Sequence, residues 1–285
     1  MTKIGAHLSI AGGYHQALLR IATIGGNCLQ IFSSPPRGWH LATVLPEEKQ
    51  LFIDTKKKLG IDPVFFHATY LINLADSREI GTKSIQSLTA ELGIASQLGV
   101  TGSIVHTGSF KKNPPAVWDV SEDKTYSVLI NNILTILTQT PKDTFLIIEN
   151  AGNRKIGQSL DEIHHIVKDV NDERLKVCLD SCHLFSAGYD ISSPEKLNVF
   201  LTEFDKKIGI EKIVVWHLND SRDPFDSGHD RHENIGQGSL GVEPFRHIIN
   251  HPRLRHLPFI IETPGFDGNG PDKKNIDILK SLVTV

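Results

Sequence analysis

Cysteine is scarce in this sequence, and its scarcity excludes two kinds of site. The chain has 285 residues and three cysteines, Cys28, Cys178 and Cys182. Their number is odd and no pair has Cys-x-x-Cys spacing, so we expect neither a disulfide framework nor an all-cysteine zinc site. Cys182 lies between Asp180 and His183. On a strand-to-helix turn its side chain should point away from theirs, so we interpret it as a packed thiol.

Long apolar runs and a strong excess of one charge are also missing. No segment approaches the length that crosses a bilayer, and residues 1–9 lack a charged start followed by a long apolar region. We therefore expect a soluble intracellular protein without a membrane partner, cytoplasmic if its source is bacterial. The formal net charge is −3. This total does not indicate a nucleic-acid partner, although a local field can differ in sign from it.

Short β-rich runs alternate with longer amphipathic stretches along the whole chain. The pattern predicts strands over residues 3–6, 28–32, 64–67, 103–106, 144–149, 175–180, 213–218 and 258–262. It predicts helices over residues 14–24, 46–59, 77–98, 119–138, 159–168, 194–208, 242–250 and 272–282. Eight strand–helix units without a linker predict an α/β fold, a single-domain (β/α)8 TIM barrel over residues 1–285. A doubly wound open sheet is the alternative, and the even length of the units favours closure.

Carboxylates and imidazoles lie in the last two positions of six consecutive predicted strands, from the third to the eighth. In (β/α)8 barrels the chemistry lies at this end of the strands. One further candidate lies a turn beyond the sixth strand, and two more lie in the loop after the seventh. Together the nine candidate ligands are His67, His106, Glu149, Asp180, His183, His217, Asp230, His232 and Glu262.

The loop after the seventh strand cannot be helical, because Pro224, Gly228 and Gly236 interrupt it. Asp230 and His232 are two residues apart, which in an extended backbone places both side chains on one face. For this loop alone, a metal site and a histidine-rich surface loop are equally favoured. The other strand ends decide between them.

Four carboxylates in one barrel mouth need positive charge, because each desolvated ion costs several kcal/mol. None of the nine candidates is Lys or Arg, so the cations are expected to be metal ions. Imidazole and carboxylate ligands without thiolate suit zinc or manganese. Nine ligands suffice for two or three ions if one carboxylate bridges, and such sites cleave phosphate esters. Three divalent ions would change the formal charge from −3 to about +3, which favours anion binding.

Five stretches form long, specific motifs: IGAHLSIAGG (residues 4–13), YLINL (70–74), LDSCH (179–183), HLND (217–220) and DRHENIG (230–236). Together they resemble the endonuclease IV family of apurinic/apyrimidinic endonucleases, over residues 4–282. The resemblance implies a (β/α)8 barrel with three zinc ions that acts in base excision repair. Its substrate would be double-stranded DNA containing abasic sites, cut on the 5′ side of the lesion to leave a 3′-hydroxyl and a 5′-deoxyribose phosphate. The same chemistry would act on blocked 3′ ends.

The resemblance also distributes the ligands over three ions. His67, His106 and Glu149 would hold the first zinc, and Glu149 would bridge to a second held by Asp180, His217 and Glu262. The third would be held by His183, Asp230 and His232. A hydroxide shared by the first two ions would attack the phosphorus, which makes Glu149 the catalytic residue. Manganese could replace zinc at some positions, and we expect a monomer.

Three further residues, Arg37, Tyr70 and Leu71, match the family's DNA contacts. An abasic sugar offers no base edge, so selectivity must come from flipping and bending, and apolar loop residues can wedge between bases. Alternatively, Tyr70 and Leu71 begin a buried segment and Arg37 is a solvated charge. The sequence departs from the family at Pro35 and Pro36, at Phe110, and in a short loop after Glu149 where Arg154 and Lys155 could contact phosphates instead.

Two other functions are compatible with a metal-binding barrel. A sugar isomerase or epimerase would use fewer ions and would have no use for Asp230 and His232. A non-catalytic damage-binding protein would be expected to lose ligands such as Glu149 or Glu262, and both are present.

Overall fold

A closed barrel of eight parallel strands forms the centre of the protein, here described from a computed structural model that covers residues 1–109, 124–152 and 155–284. The barrel strands are β1 (Lys3–His7), β2 (Cys28–Phe32), β3 (Val64–His67), β4 (Gly102–Val105), β5 (Phe145–Glu149), β6 (Leu175–Asp180), β7 (Ile213–His217) and β10 (Pro258–Ile261). The first and last strands pair in register from Lys3 with Pro258 to Ala6 with Ile261. This pairing closes the barrel, so the predicted fold is confirmed and the open-sheet alternative is wrong.

Helices follow the strands on the outside of the barrel. They are α1 (Tyr14–Ile24), α2 (Pro46–Leu59), α3 (Glu79–Leu98), α4 (Lys124–Gln139), α5 (Leu160–Val170), α6 (Ser181–Ser186), α7 (Pro194–Lys207), α8 (Glu243–Asn250) and α9 (Lys273–Leu282). Helix α5 starts with a capping box, in which the Ser159 hydroxyl accepts from the Glu162 N–H. Within the described residues, no helix is both long and apolar enough to cross a membrane.

Three strands end one residue earlier than the sequence pattern predicts, and β7, which ends at His217 instead of residue 218, is one of them. Strand β4 ends at Val105 and β10 at Ile261, so His106 and Glu262 are the first loop residues rather than the last strand residues. A strand ends where ladder hydrogen bonding stops, and hydrophobic alternation does not mark that point to the residue. The predicted start of the fourth helix at residue 119 lies outside the described residues.

A second, two-stranded sheet follows β7, and the sequence pattern does not predict it. Strands β8 (Asp220–Ser221) and β9 (His232–Glu233) pair antiparallel, with Ser221 opposite His232. The chain from residue 218 to residue 241 contains no helix, as expected from its proline and glycines. The small sheet holds the two ends of this loop together beside the barrel mouth.

The inside of the barrel is packed with apolar side chains below the mouth. This cluster consists of Cys28, Phe65, Ile104, Ile147, Cys178, Val215 and Ile260. All three cysteines are buried and free, so the expectation that no disulfide forms is met. The barrel is therefore a filled core whose open polar surface is the rim at the carboxyl ends of the strands.

Candidate metal centre

The nine candidate ligands meet at this rim in three groups. Within each group, one ligand atom from every member lies within 4.8 Å of those of the others. The groups are His67, His106 and Glu149; Glu149, Asp180, His217 and Glu262; and His183, Asp230 and His232. Glu149 belongs to two of them, so the fold brings these residues together with one carboxylate between two groups.

Glu149 lies at the centre of the cluster and is 1% exposed. Its Oε2 is 3.3 Å from His67 Nε2 and 3.4 Å from His106 Nε2. Its Oε1 is 3.1 Å from His217 Nδ1 and 3.3 Å from His183 Nδ1. Each oxygen therefore faces different imidazoles, which is the arrangement a bridging carboxylate requires.

Three of the imidazoles are fixed by a hydrogen bond from one ring nitrogen to a carbonyl oxygen outside the nine candidate ligands. His67 Nδ1 donates to the Ala68 carbonyl at 2.9 Å, and His183 Nδ1 donates to the Asn150 carbonyl at 2.9 Å. His217 Nε2 donates to Gln30 Oε1 at 2.7 Å. Because a carbonyl oxygen can only accept, each donating nitrogen carries the hydrogen. The other nitrogen then presents a lone pair to the cluster, as in metal-binding histidines.

The third group provides a direct test of whether a cation fits. His232 Nδ1 lies 3.4 Å from the Glu262 carbonyl and His183 Nδ1 donates elsewhere, so in their neutral forms both rings carry the lone pair on Nε2. These two Nε2 atoms are 3.4 Å apart, and Asp230 Oδ1 lies 2.9 Å from the first and 3.5 Å from the second. Two lone pairs and a carboxylate that face one another repel unless a positive charge lies between them. The donor set therefore fits a divalent metal ion.

The charges of the cluster perturb its titration. Burial favours the neutral form of Glu149, but His106 and His217 outweigh it and hold the pKa of this carboxyl well below its usual range. Burial alone would lower the pKa of His183, but Asp180 and Asp230 raise it to about 10. Burial lowers the pKa of His106 to about 4. Without a metal ion, the carboxylates favour protonation of nearby imidazoles. A bound metal ion can supply that positive charge instead.

Three residues that the sequence reasoning missed hold the carboxylates in place. Asn219 donates from Nδ2 to Asp180 Oδ2 at 2.6 Å, and its Oδ1 accepts from the Glu262 N–H at 2.7 Å. Gln30 donates from Nε2 to Glu262 Oε1 at 2.5 Å, and His7 Nδ1 lies 3.0 Å from the same oxygen. His7 and Asn219 lie inside the sequence motifs, which could have pointed to them. Gln30 carries no comparable signal.

Cys182 differs from its expected orientation. Its thiol is buried, which agrees with a packed residue, and burial raises its pKa. Its Sγ nevertheless lies within 4.8 Å of a ligand atom of Asp180 instead of pointing away from it, and within the same distance of a ligand atom of His232. The short helix α6 begins directly after Asp180, and the Cys182 thiol donates to the Arg231 carbonyl at 3.6 Å, which turns the side chain toward the loop.

A cavity of about 360 Å³ opens above the cluster, and Lys155 and Tyr70 line it beside the candidate ligands. Tyr70 is 67% exposed and Leu71 is 37% exposed, so the alternative that they begin a buried segment is wrong. Arg37 is also exposed, in the neighbouring loop. Thr69 Oγ1 donates to the Pro36 carbonyl at 2.6 Å and joins the two loops. Phe110 and Arg154 lie outside the described residues.

Comparisons with known proteins agree with this geometry. Residues 18–282 match the family model described as xylose isomerase-like TIM barrel. A protein named probable endonuclease 4 from Persephonella marina is 37% identical, over 99% of this chain and 98% of its own length. Another of that name from Thermosipho africanus is 39% identical, over 99% of both. Among solved structures, endonuclease IV from Thermus thermophilus has 32% identity and a TM-score of 0.84, over 98% of both chains.

Proposed function

This chain belongs to the endonuclease IV family, and from that membership and the geometry of the cluster we propose that it is a zinc-dependent DNA repair endonuclease. Its proposed substrate is double-stranded DNA with an abasic site. It would hydrolyse the phosphodiester 5′ to the lesion, leaving a 3′-hydroxyl and a 5′-deoxyribose phosphate. Removal of blocking groups from 3′ ends would use the same site.

One observation carries the proposal, namely that nine ligand side chains form three adjoining groups around Glu149. The carboxylates of Asp180 and Glu149 are almost fully buried, and in the part of the chain that the structure describes no Lys or Arg lies within ion-pair distance of them. Buried carboxylates without such partners need another cation. We propose that each group holds one zinc ion, with manganese an alternative at some positions.

The protein's own residues would set the geometry of the reaction. When bound, the metal ions would lower the pKa of an attacking water and neutralise charge on the phosphate oxygens. Glu149 would hold two adjacent positions at a fixed separation, since each of its oxygens faces different imidazoles. Asn219 and Gln30 would keep the carboxylates of Asp180 and Glu262 from turning away, through hydrogen bonds of 2.6 Å and 2.5 Å. The reacting phosphate would then meet a rigid site, which lowers the cost of orientation.

Lesion recognition would fall to the exposed side chains beside the cavity. We propose that Tyr70 and Leu71 enter the base stack next to the lesion, while Arg37 contacts the DNA from the joined loop. Exposure of an aromatic and a leucine at adjacent positions supports this role, because their apolar surface is removed from water only when a partner covers it. Lys155 would contribute positive charge at the cavity wall.

Sugar isomerase chemistry is less well supported, although it occurs on barrels of this shape. The third group, His183, Asp230 and His232, is a complete set of ligands beyond the two groups that share Glu149. An enzyme that binds a free sugar also has no use for the exposed Tyr70 and Leu71. A protein that only binds damage would not need all the ligands, and each of the nine is present.

Metal analysis combined with strand cleavage tests the proposal. Purified protein should contain three zinc ions per chain and should nick a duplex with one abasic site immediately 5′ to it. An otherwise identical intact duplex is the control substrate. Protein with its full metal content that leaves the abasic duplex uncut would refute the function, and a stable content of one or two ions would favour the isomerase alternative.

A further inference from the structure

One buried carboxylate close to the metal groups belongs to none of them. Asp220, on β8, is 0% exposed, and no candidate metal group among the described residues includes it. Its two oxygens accept hydrogen bonds from five backbone N–H groups. Oδ1 accepts from Ser221 at 2.8 Å, Leu240 at 3.0 Å and Gly241 at 3.3 Å, and Oδ2 accepts from Gly236 at 2.9 Å and Gly238 at 3.0 Å.

These contacts identify the protonation state of Asp220 that the surrounding backbone requires. Burial raises the pKa of its carboxyl above the usual value, and hydrogen bonds from backbone N–H groups offset part of that rise. Every contact at both oxygens is with a donor, so an added proton would point at an N–H group and displace it. The ionised carboxylate is therefore the form that satisfies the segment from residue 236 to residue 241. Without it, the buried N–H group of Leu240 and the partly buried N–H groups of Gly236, Gly238 and Gly241 would lose their partner, which is unfavourable.

The segment bound by Asp220 is continuous with the ligands of the third group. His232 lies opposite Ser221 in the small sheet, and the Arg222 N–H donates to the Arg231 carbonyl at 2.9 Å beside Asp230. The chain then turns back, and the Ser239 N–H donates to the Ser221 carbonyl at 2.7 Å. Residues 220–241 thus fold around one side chain, and the position of His232 depends on that fold.

The close approach of this segment to Asp220 also explains why residue 238 is a glycine. A Cβ atom at Gly238 would lie 2.3 Å from the Ser221 carbonyl oxygen and 2.5 Å from Asp220 Oδ1. Both distances are shorter than a Cβ atom tolerates, so any side chain at this position would push the segment away from Asp220. Position 238 therefore provides a second way to disturb the same contact.

We propose that Asp220 is a positioning residue for the third metal ion. By holding residues 236–241 against β8, it would fix His232 and Asp230 opposite His183. The inference rests on the proposed function, because it assumes that these three side chains hold a metal ion. It adds a residue that contacts neither the ion nor the substrate and that governs one of the three positions selectively.

The test is the metal content of Asp220→Asn after dialysis against a mild chelator. An amide keeps the shape but replaces one acceptor oxygen by a donor, so two or three of the five N–H groups lose their partner. Zinc should fall from three ions per chain toward two, and the affinity of the third position should drop on the order of tenfold. Excess zinc should restore cleavage. A purely structural role would not give a loss confined to one position with rescue by metal.

Asp172→Asn is the matched control. Asp172 also accepts a backbone N–H, from Arg174 at 2.8 Å, but it lies before β6 at the opposite end of the barrel. This variant should keep three ions with wild-type affinity. The wild-type chain itself tests the proposed function, because fewer than three ions or an uncut abasic duplex would refute that function whatever the variants do.

The outcomes of the variant decide the inference. If Asp220→Asn holds three ions with wild-type affinity, or loses all three equally, the inference is overturned. If the variant does not fold, Gly238→Ala replaces it, and selective loss of the third ion is again the expected result. Failure of that variant to fold, or an unchanged or uniform metal content, would overturn the inference as well.

Discussion

Replacing Glu149 by glutamine should separate cleavage from lesion binding. Glu149 contacts four imidazoles at 3.1 Å to 3.4 Å and is 1% exposed, so the substitution removes a buried charge and preserves the side-chain shape. Removing one electrostatic contact from a preorganised site costs about 2.7–4 kcal/mol of transition-state stabilisation. At about 1.4 kcal/mol per factor of ten, cleavage should fall about 10²-fold to 10³-fold. Tyr70 and Arg37 lie in other loops, so affinity for the lesion should change much less.

The measurement is single-turnover cleavage of an abasic duplex, with binding followed by fluorescence anisotropy and metal content measured on the same sample. Glu162→Gln is the control for the chemical change. Its carboxylate accepts N–H groups of Gly157 and Ser159 at the start of α5, outside the cluster, so that variant should cleave normally. Cleavage by Glu149→Gln within a few-fold of wild type, at full metal content, would show that the bridging role is wrong.

Two further predictions concern other parts of the molecule. Tyr70→Ala should weaken binding to an abasic duplex about 5-fold to 150-fold, as expected for loss of base stacking, with unchanged metal content. Leu134→Ala, an exposed position on α4, is its control in the same anisotropy assay, and equal loss of metal and binding would contradict the wedge role. Burial raises the pKa of Glu91 from 4.5 to about 7, so its contribution to stability is present below pH 4.5 and is lost as the pH rises through 7. Raising the pH from about 5.5 to about 8 should therefore stabilise Glu91→Gln relative to wild type by about 2 kcal/mol. A denaturant melt that shows the same stability difference at both pH values would exclude this titration.

The strands and helices of the barrel could be predicted in detail because the residues that begin and end them are local in the sequence. The sequence pattern predicts strand β2 and helices α1 and α2 to the residue, since Pro46 starts α2 and left-handed glycines at 25 and 60 end the two helices. Helix α6 is not among the predicted helices. All six of its residues are buried, and so short a helix has no polar face to produce an amphipathic period.

One property of the fold explains why the candidate ligands could be predicted and why the residues that support them could not. Ligand types are visible in the sequence because strand ends in a closed barrel converge, so residue type and position along the chain are enough. Gln30, Asn219 and Asp220 act through contacts with residues that are distant in sequence, such as the 2.7 Å bond between Gln30 and His217. The strands β8 and β9 are equally nonlocal, since two residues on each side pair across a ten-residue loop. No local pattern encodes such contacts.

The apolar filling of the barrel has an electrical consequence for the rim above it. Side chains such as Phe65, Ile147 and Val215 form a floor of low polarisability directly below the ligands, and burial in it raises the pKa of the Cys178 thiol to about 12. Side chains of low polarisability cannot screen charge. The electric field of a centre with bound metal ions would therefore extend through the open mouth of the barrel rather than through the protein. The hydrophobic core inside the barrel would therefore also direct the electrostatic attraction of the site toward the solvent, from which a polyanion approaches.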